Sequence, residues 1–503
     1  SPLMGLMQRV MTVSGWTLVS RILGLVRDRL WAGLLGGSFI LDCFTVANAL
    51  PNLLRNLFGE GALSAAVVPR YVQLKQQDPE AAERFVGAIV TRLALALSAL
   101  CAVAMASAVA IMSTTAGNSQ AYLVAALSLP MLPFAIFVCT SAIMAGVLNG
   151  RRHFWVPAFT PVVLNVALIS TVWAAPEDEC WLLPYAVLVS GLVGTVLHLW
   201  ALRRSGVIPP VVFRVRADER ERLSELWSSL IPTTLSAGVF QLNAFFDNII
   251  ALAAGAGGPQ VLYFASRLFQ FPLALVGHGV SIAVYPELSA SASGGWPAIS
   301  EGLREALSTL WFWLLPAAIG LLVVAEPAVR AIYQVGQFNE ELVGRTVLAL
   351  RFFALALIPL ALSRVMVRAF FACRDQATPL KISVATVVAN LALNLVLVRT
   401  DLREAGLALS TAITGMVACI VYIVLLRRRG VHGWCGLSQL ARPLIAATAM
   451  GAAVGTLLWY WPQPVGHASG VAALRLGVAV GLGALVYLGI AGRGWLQRSR
   501  PTT

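Results

Sequence analysis

Charged residues inside apolar stretches are the side chains of this sequence that could do chemistry. The stretch "SRILGLVRDRLWAGLLGG" (residues 20–37) belongs to an apolar run of membrane-spanning length, yet it carries Arg21, Arg27, Asp28 and Arg29. A charge near the middle of a bilayer costs at least about 2.5–3.5 kcal/mol on insertion scales. A cost of this size suggests that the charges serve a function.

Further charges lie deep in other apolar stretches, namely Asp42, Arg55, Asp247, Arg267, Arg364 and Arg368. The alternative to a functional role is snorkelling from helix ends, or structural pairing such as Asp42 with an arginine. This alternative stays open for Arg29, Arg351 and Arg368. Arg21, Arg55 and Arg267 lie farther from the predicted helix ends and favour a function.

Arginines around a water-filled cavity would attract an anion, because their planar guanidinium groups bind phosphate and carboxylate bidentately. Arg55 shares its predicted helix with Pro51 and Gly59. Arg267 precedes Pro272. Helix breakers are tolerated in membranes where the irregular backbone lines a cavity. The pattern predicts a cavity that binds an anion.

The sequence contains few motifs that would indicate a catalytic site. The sequence has no GxxxxGK[ST] motif for nucleotide phosphates, and its five histidines form no HExxH motif. Its seven cysteines form no CxxC pair and are expected to be small packing residues. The net charge of +13 can reflect cytoplasmic loops that face anionic lipid, so by itself it does not indicate nucleic acid. We expect a protein that is not an enzyme.

Membrane helices are the elements that must position these residues. Of 503 residues, 58% are hydrophobic and 12% are charged, with a mean hydropathy of +0.79, whereas soluble proteins have about 25% charged residues. A spanning helix needs roughly 20 apolar residues. The predicted fold is therefore all-α and polytopic, with fourteen transmembrane helices near residues 10–35, 40–69, 85–112, 121–149, 156–174, 181–202, 223–253, 260–289, 305–325, 342–371, 377–398, 405–426, 438–461 and 470–492.

The distribution of positive charge predicts the orientation of these helices. The segments on the side of the two termini hold 22 Lys and Arg residues, and those on the opposite side hold 3. Cytoplasmic loops of membrane proteins carry the excess of positive charge. Both termini are therefore expected in the cytoplasm.

Short motifs repeat between the two halves. The segment "SAAVVP" (64–69) matches "SIAVYP" (281–286), and "RHFWVP…VVLNVAL" (152–168) matches "RDQATP…VVANLAL" (374–393). Each match pairs a span with the sixth span after it, so the halves are parallel repeats, which in transporters enclose a central substrate path. We predict an N-lobe of helices 1–6 (1–205), a cytoplasmic linker (206–222), a C-lobe of helices 7–12 (223–430), and helices 13 and 14 (431–503).

Four segments together resemble the MurJ/MviN family, whose members are lipid II flippases of the multidrug/oligosaccharidyl-lipid/polysaccharide exporter superfamily. They are "SRILGLVRD" (20–28), "ALPNLLRNLFGEGALSAAVVP" (49–69), "ASRLFQFPLALVGHGVSIAVYPELS" (265–289) and "RDQATPLKI" (374–382). The resemblance extends over nearly the whole chain. It implies movement of an undecaprenyl-diphosphate-linked peptidoglycan precursor from the inner to the outer leaflet of the bacterial inner membrane.

The resemblance also implies roles for residues. The family's essential cavity arginines match Arg21, Arg27, Arg55 and Arg267, and its essential acidic residue matches Asp42. Arg364 is added to this substrate-binding set because of its position in span ten. The arginines would hold the diphosphate, and helices 13 and 14 would form a groove for the lipid tail. Membrane lipids and cell-wall synthesis proteins are the implied partners.

Some family members carry a sodium site in the second lobe. The comparable residues here are Asp247, Asn390, Asn394 and Ser410. Asn394 departs from the pattern, because an acidic residue would be expected there. Packing of intramembrane amides is the alternative interpretation.

Two other classes of function stay open. The first is a related carrier of the same superfamily, either a polysaccharide-lipid flippase or a cation-coupled drug exporter. Drug exporters usually have twelve spans and a less cationic cavity. The second is a scaffold for cell-wall enzymes that transports nothing, and the buried arginines argue against it because a scaffold needs no charged cavity.

Overall fold

The fold is built from helices, as predicted. The computed structural model describes residues 2–59, 62–151, 153–174, 181–432, 437–462 and 469–492, and every regular element among them is helical. The α-helices are α1 (Pro2–Leu35), α2 (Phe39–Ala47), α3 (Ala49–Gly59), α4 (Ala62–Gln77), α5 (Pro79–Thr114), α6 (Gln120–Met131), α7 (Phe134–Gly150), α8 (Trp155–Ala174), α9 (Leu183–Arg204), α10 (Ala217–Ala251), α11 (Gly258–Pro272), α12 (Gly279–Ser291), α13 (Ser300–Tyr333), α14 (Glu340–Ala372), α15 (Ala377–Leu397), α16 (Glu404–Arg428), α17 (Leu437–Tyr460) and α18 (Ser469–Tyr487).

Eleven helical segments within the described residues are long and apolar enough to cross a membrane. They coincide with the predicted spans three to six and eight to fourteen. The three other predicted spans fall on α1, on α2 to α4 and on α10. Helix α1 has four charged residues between positions 21 and 29, which lowers its apolar character. The total of fourteen spans stays a prediction.

The predicted helix breakers have different outcomes. The second span is interrupted at Asn48, between α2 and α3, where no break was predicted, and Pro51 lies in the first turn of α3, which ends at Gly59. Helix α11 ends at Pro272 and continues as a π-helical turn, Leu273–His278, before α12 begins. Proline removes a backbone donor and clashes with the preceding turn, so a local change of helix type follows it.

The chain divides into two compact units, residues 1–248 and 249–503. In the first unit, α1 packs on α8, α8 and α7 pack on α9, and α2 packs on α6. In the second unit, α14 packs on α11, α13 and α16, while α17 and α18 pack on each other and on α13. The boundary between the units lies inside α10, whereas the sequence placed the division of the lobes at the linker. The lobe boundaries stay a prediction.

The linker 206–222, predicted as a cytoplasmic connection between the lobes, is packed onto α5. Val207 and Val212 are buried in one apolar cluster with Leu223 and Leu226. The Val212 amide donates to the Thr91 hydroxyl at 3.1 Å. We call residues 207–219 the linker strap.

Two further features fix the linker strap on α5. Gly87 lies beneath it, and a Cβ at that position would stand 2.0 Å from the Pro210 carbonyl oxygen. Arg84 donates from Nε to Glu219 Oε1 at 2.7 Å, and Glu219 is only 5% exposed. The bond from the Arg84 guanidinium lowers the pKa of Glu219, which also accepts a bond from the Arg216 amide. The strap therefore has both a steric and an ionic attachment.

The helices that follow the repeat are attached to α13. Phe312 and Leu315 of α13 are buried with Ala446 and Met450 of α17, and with Tyr487 of α18. The Tyr487 hydroxyl donates to the Phe312 carbonyl. Without a hydrophobic driving force between helices in lipid, close packing and interhelical hydrogen bonds hold such pairs together.

Candidate functional site

Arg27 is held by three neighbouring side chains. Its Nε and Nη2 donate to Asp28 Oδ1 at 3.0 and 2.7 Å. Its Nη1 donates to Asn165 Oδ1 at 3.0 Å, and the guanidinium lies 4.9 Å from the centre of the Trp31 ring. Arg27 is 6% exposed and Asp28 is 4% exposed. The ion pair is therefore buried within the first unit.

Asn165 joins this ion pair to an earlier turn of α1. It projects from α8, and its Nδ2 donates to the Ser20 carbonyl at 3.0 Å. The other end of the same amide accepts from Arg27. Gly24 of α1 lies next to the Asn165 side chain, because a Cβ added to Gly24 would stand 3.9 Å from the Asn165 amide group, an ordinary contact distance. One amide side chain therefore spans two turns of α1 and fixes the direction of the guanidinium.

Arg21 lies at a cavity of the first unit. The cavity has a volume of about 450 Å³, and its lining includes Thr17, Ser20, Arg21, Asn149, Phe154 and Pro161. Arg21 itself is exposed. Ser20 belongs both to this lining and to the Asn165 contact, so the cavity and the Arg27 ion pair are neighbours along α1. A cationic side chain, hydroxyl groups and an amide are the groups that an anionic head group would need.

Asp42 and Arg55 lie in the broken second span. Asp42 is buried in the first turn of α2, where Ser38 caps the helix by accepting from the Leu41 amide. The positive end of the helix dipole favours a carboxylate there. Arg55 of α3 is half-buried and donates to Asn56 at 3.3 Å.

Arg267 and Arg364 belong to the second unit. Arg267 is exposed on α11, where it stacks 5.0 Å from the centre of the Tyr263 ring and donates to its hydroxyl at 2.9 Å. Arg364 of α14 is partly buried, and its Nη1 has no hydrogen-bond partner in the part of the chain that the structure describes. A buried donor without a partner is a favourable place for an anion. The convergence of arginines from both units on one cavity stays a prediction.

The predicted sodium residues of α15 and α16 bind one another. Asn390 Nδ2 donates to Ser410 Oγ at 3.1 Å and to Thr414 Oγ1 at 3.3 Å. Asn394 Nδ2 donates to Asn390 Oδ1 at 2.8 Å, and Ser410 donates to Asn394 Oδ1. Both amide oxygens therefore face hydrogen donors, and Asp247 lies in α10 of the first unit. Among the described residues, no cluster of three or more His, Cys, Asp or Glu side chains could hold a metal ion.

Each of the two amide oxygens already accepts a hydrogen bond with one of its two lone pairs, and an oxygen-preferring cation such as sodium would need the other. The contacts agree with the alternative interpretation, in which the amides pack within the membrane. Sodium binding stays a prediction for the four residues.

Sequence reasoning gave no role to Asn165 or Asp28. The repeat held a signal for Asn165, because aligning "VVLNVAL" (162–168) with "VVANLAL" (387–393) places Asn165 opposite Asn390. An amide at the same place in both halves of a membrane protein marks a contact between helices. Asp28 stood in the first motif, but its partner could not be known before the side chains were placed.

Comparisons with known proteins agree on one family. The sequence model described as "Lipid II flippase MurJ" matches residues 31–468. The lipid II flippase MurJ of Burkholderia cenocepacia is 32% identical, with 86% of this chain and 86% of that protein covered. The probable lipid II flippase MurJ of Rhizobium tropici is 30% identical, with 99% of this chain and 98% of that protein covered.

Solved structures agree on the fold. A lipid II flippase MurJ in an inward closed conformation matches with a TM-score of 0.78 at 23% identity, covering 97% of this chain and 99% of that one. An inward-facing multidrug resistance MATE family transporter of the MOP superfamily matches with a TM-score of 0.66 at 17% identity, covering 83% and 97%. The resemblance found in the motifs is confirmed, and this multi-pass membrane chain belongs to the lipid II flippase MurJ family.

Proposed function

We propose that this chain moves lipid II, the undecaprenyl-diphosphate-linked precursor of peptidoglycan, from the inner to the outer leaflet of the bacterial inner membrane by alternating access. Membership of the family carries this proposal. It is supported in this chain by Arg21 of α1, which lines a cavity together with the hydroxyl groups of Thr17 and Ser20 and the amide of Asn149. Transport rather than catalysis is the proposed activity.

The diphosphate is the part of lipid II that the arginines would hold. Arg21, Arg27 and Arg55 would contribute from the first unit, and Arg267 and Arg364 from the second. Each guanidinium can present two parallel N–H groups to phosphate oxygens, which a lysine cannot do. Asp42 would balance part of this positive charge while the site is empty.

The long polyprenyl tail needs a separate apolar path. We assign it to a groove formed by α17 and α18. The support is that these helices are additions to the repeat and are attached to α13 through Phe312 and Tyr487. Large apolar side chains on α18, such as Leu474 and Leu485, are exposed and would face lipid or the tail.

The membrane potential is the proposed source of energy. The sequence has no nucleotide-binding motif. Each elementary charge that crosses the full field gains about 2.3 kcal/mol per 100 mV. The negative diphosphate moves outward, which an inside-negative potential favours, and the returning carrier brings its positive charge toward the cytoplasm. Sodium binding at Asp247, Asn390, Asn394 and Ser410 is kept as a second proposal.

The topology proposal follows from the charge distribution. We propose that both termini lie in the cytoplasm, because 22 basic residues lie on that side and 3 on the other. Cell-wall synthesis proteins are proposed as partners, and nucleic acid is not.

Translocation of fluorescent lipid II by purified protein in liposomes tests the function. Arg21→Ala, Arg27→Ala, Arg55→Ala and Arg267→Ala should each abolish flipping while the protein still inserts. Lysine at these positions should restore only part of the rate, because the ammonium group is a point charge and cannot bind phosphate bidentately as the guanidinium group does. Arg29→Ala is the matched control and should be milder. Wild-type rates in all four alanine variants would refute the proposal.

The energy source needs its own measurement. The potential is collapsed with an ionophore at fixed sodium, and sodium is then varied at fixed potential, in wild type and in Asp247→Ala. Loss of flipping on depolarisation, without any sodium effect, supports the potential and refutes the sodium site. Unchanged flipping on depolarisation refutes potential-driven return. A sodium response that Asp247→Ala lacks would assign the coupling to sodium instead.

A further inference from the structure

Arg27, which is proposed to bind the diphosphate of lipid II, is already paired with Asp28. What we infer from this pair rests on the proposed transport function. Nε and Nη2 of Arg27 donate to Asp28, and Nη1 donates to Asn165. These are the nitrogens that would bind a diphosphate. The diphosphate must therefore displace protein partners rather than occupy an open guanidinium.

The cost of an empty site explains why such partners would be useful. A carrier that has released its anion must return with its arginines in a low-dielectric environment. A buried charge that loses its partner is strongly destabilised. Arg27 avoids this because Asp28, its neighbour in the chain, lies within 2.7 Å and is as deeply buried.

We infer that Asp28 is an internal counter-ion that takes the place of the diphosphate on Arg27 whenever the carrier is empty, with Asn165 as the positioning residue that keeps Arg27 in register with Asp28. Binding of the diphosphate exchanges one anion for another on the same guanidinium. Release lets the carboxylate return. The pair then crosses the field without net charge, so Arg27 adds little to the potential dependence of the return step.

The position of Asn165 supports the second part of this inference. It contacts Ser20 and Arg27, which lie two turns apart on α1, so it resists rotation of the guanidinium toward other partners. Its counterpart in the repeat, Asn390, contacts hydroxyl groups of α16 instead. Among the described residues, an arginine therefore contacts Asn165, the amide of the first half, and hydroxyl groups contact Asn390.

Two substitutions with opposite expected effects test the inference. Asp28→Asn keeps the shape of the side chain but removes the competing charge. Lipid II should bind it about tenfold more tightly, flipping at saturating lipid II should slow, and the rate should depend more steeply on the membrane potential than in wild type. Asn165→Asp adds a second competing carboxylate, so lipid II should bind about tenfold more weakly.

Glu404→Gln is the matched control. It neutralises another buried acid of an ion pair, with Arg345 at 2.7 Å, in the second unit. It should lower thermal stability and leave both the affinity for lipid II and the potential dependence unchanged. Asp28→Glu keeps the charge and should show the wild-type potential dependence.

The outcomes separate this inference from the proposed function. Affinity for lipid II in Arg27→Ala equal to that of wild type would refute Arg27 as a diphosphate ligand, and the inference would fall with it. Weaker binding in Arg27→Ala, combined with unchanged or weaker binding in Asp28→Asn, would refute the counter-ion alone. If Asp28→Asn does not fold, Asn165→Asp decides, and binding as tight as in wild type would overturn the inference.

Discussion

Gly87→Ala should loosen the linker strap from α5. The added Cβ would stand 2.0 Å from the Pro210 carbonyl oxygen, and real Cβ contacts essentially never fall below 3.0 Å, so the strap must move by about 1 Å or more. The obstacle is backbone, which cannot rotate away as a flexible side chain can. The burial of Val207 and Val212 and the hydrogen bond to Thr91 depend on the present position.

The size of the effect follows from what the strap would lose. Two buried valines contribute about 1.5–3 kcal/mol each, and one hydrogen bond contributes about 1 kcal/mol. Full release would therefore cost about 4–7 kcal/mol. A partial shift that costs half of this, about 2–3.5 kcal/mol, lowers the melting temperature by about 4–14 °C in a unit of this size.

Thermal unfolding in detergent, followed by tryptophan fluorescence, measures this loss. Gly344→Ala is the control, because Gly344 is also helical but a Cβ there meets nothing within 4 Å. That substitution should stabilise by about 0.5–1 kcal/mol, since alanine has the higher helix propensity. If Gly87→Ala melts at or above the wild-type temperature, the strap is not held as described.

Three other predictions follow from the described contacts. The Arg84 guanidinium lowers the pKa of Glu219, so the ionised carboxylate stabilises the fold at pH values above its ordinary pKa of 4.5. This contribution is lost as the pH falls through the lowered pKa. The difference in melting temperature between wild type and Glu219→Gln should therefore shrink in acid. Truncation after residue 432 should leave a core that folds and inserts but no longer flips lipid II; normal flipping by the truncated protein would refute the tail groove. Asn394→Asp should make the melting temperature rise with sodium but not with choline, and the absence of such a rise would argue against a sodium site at this cluster.

The apolar helices could be predicted from the sequence because their signal is local. Eleven described spans coincide with runs of apolar residues that are interrupted by polar or Pro/Gly segments. Helix α1 also formed where predicted, although its four charges dilute the same signal. The change of helix type at Pro272 followed from residue chemistry alone, whereas the break at Asn48 carries no proline or glycine and was not predicted.

The contacts that hold the site were harder to predict, because they join distant parts of the chain. Asn165 and Arg27 are 138 residues apart, and no pattern within either helix indicates that α8 packs on α1. The packing of the linker was not predicted for the same reason. Val207 and Val212, which attach it to α5, stand among charged residues such as Arg214 and Arg216 and show no regular apolar pattern.

The different partners of Asn165 and Asn390 bear on how this protein evolved. If the two halves descend from a duplicated gene, Asn165 and Asn390 derive from one ancestral asparagine whose contacts now differ between the halves. In the second half this asparagine lies among hydroxyl groups, and in the first it holds an arginine. The difference between the halves would then lie in the neighbouring helix, which carries Arg27 and Asp28, while the asparagine is common to both halves. Duplicated carriers can in this way acquire a new cargo without replacing the residue that positions it.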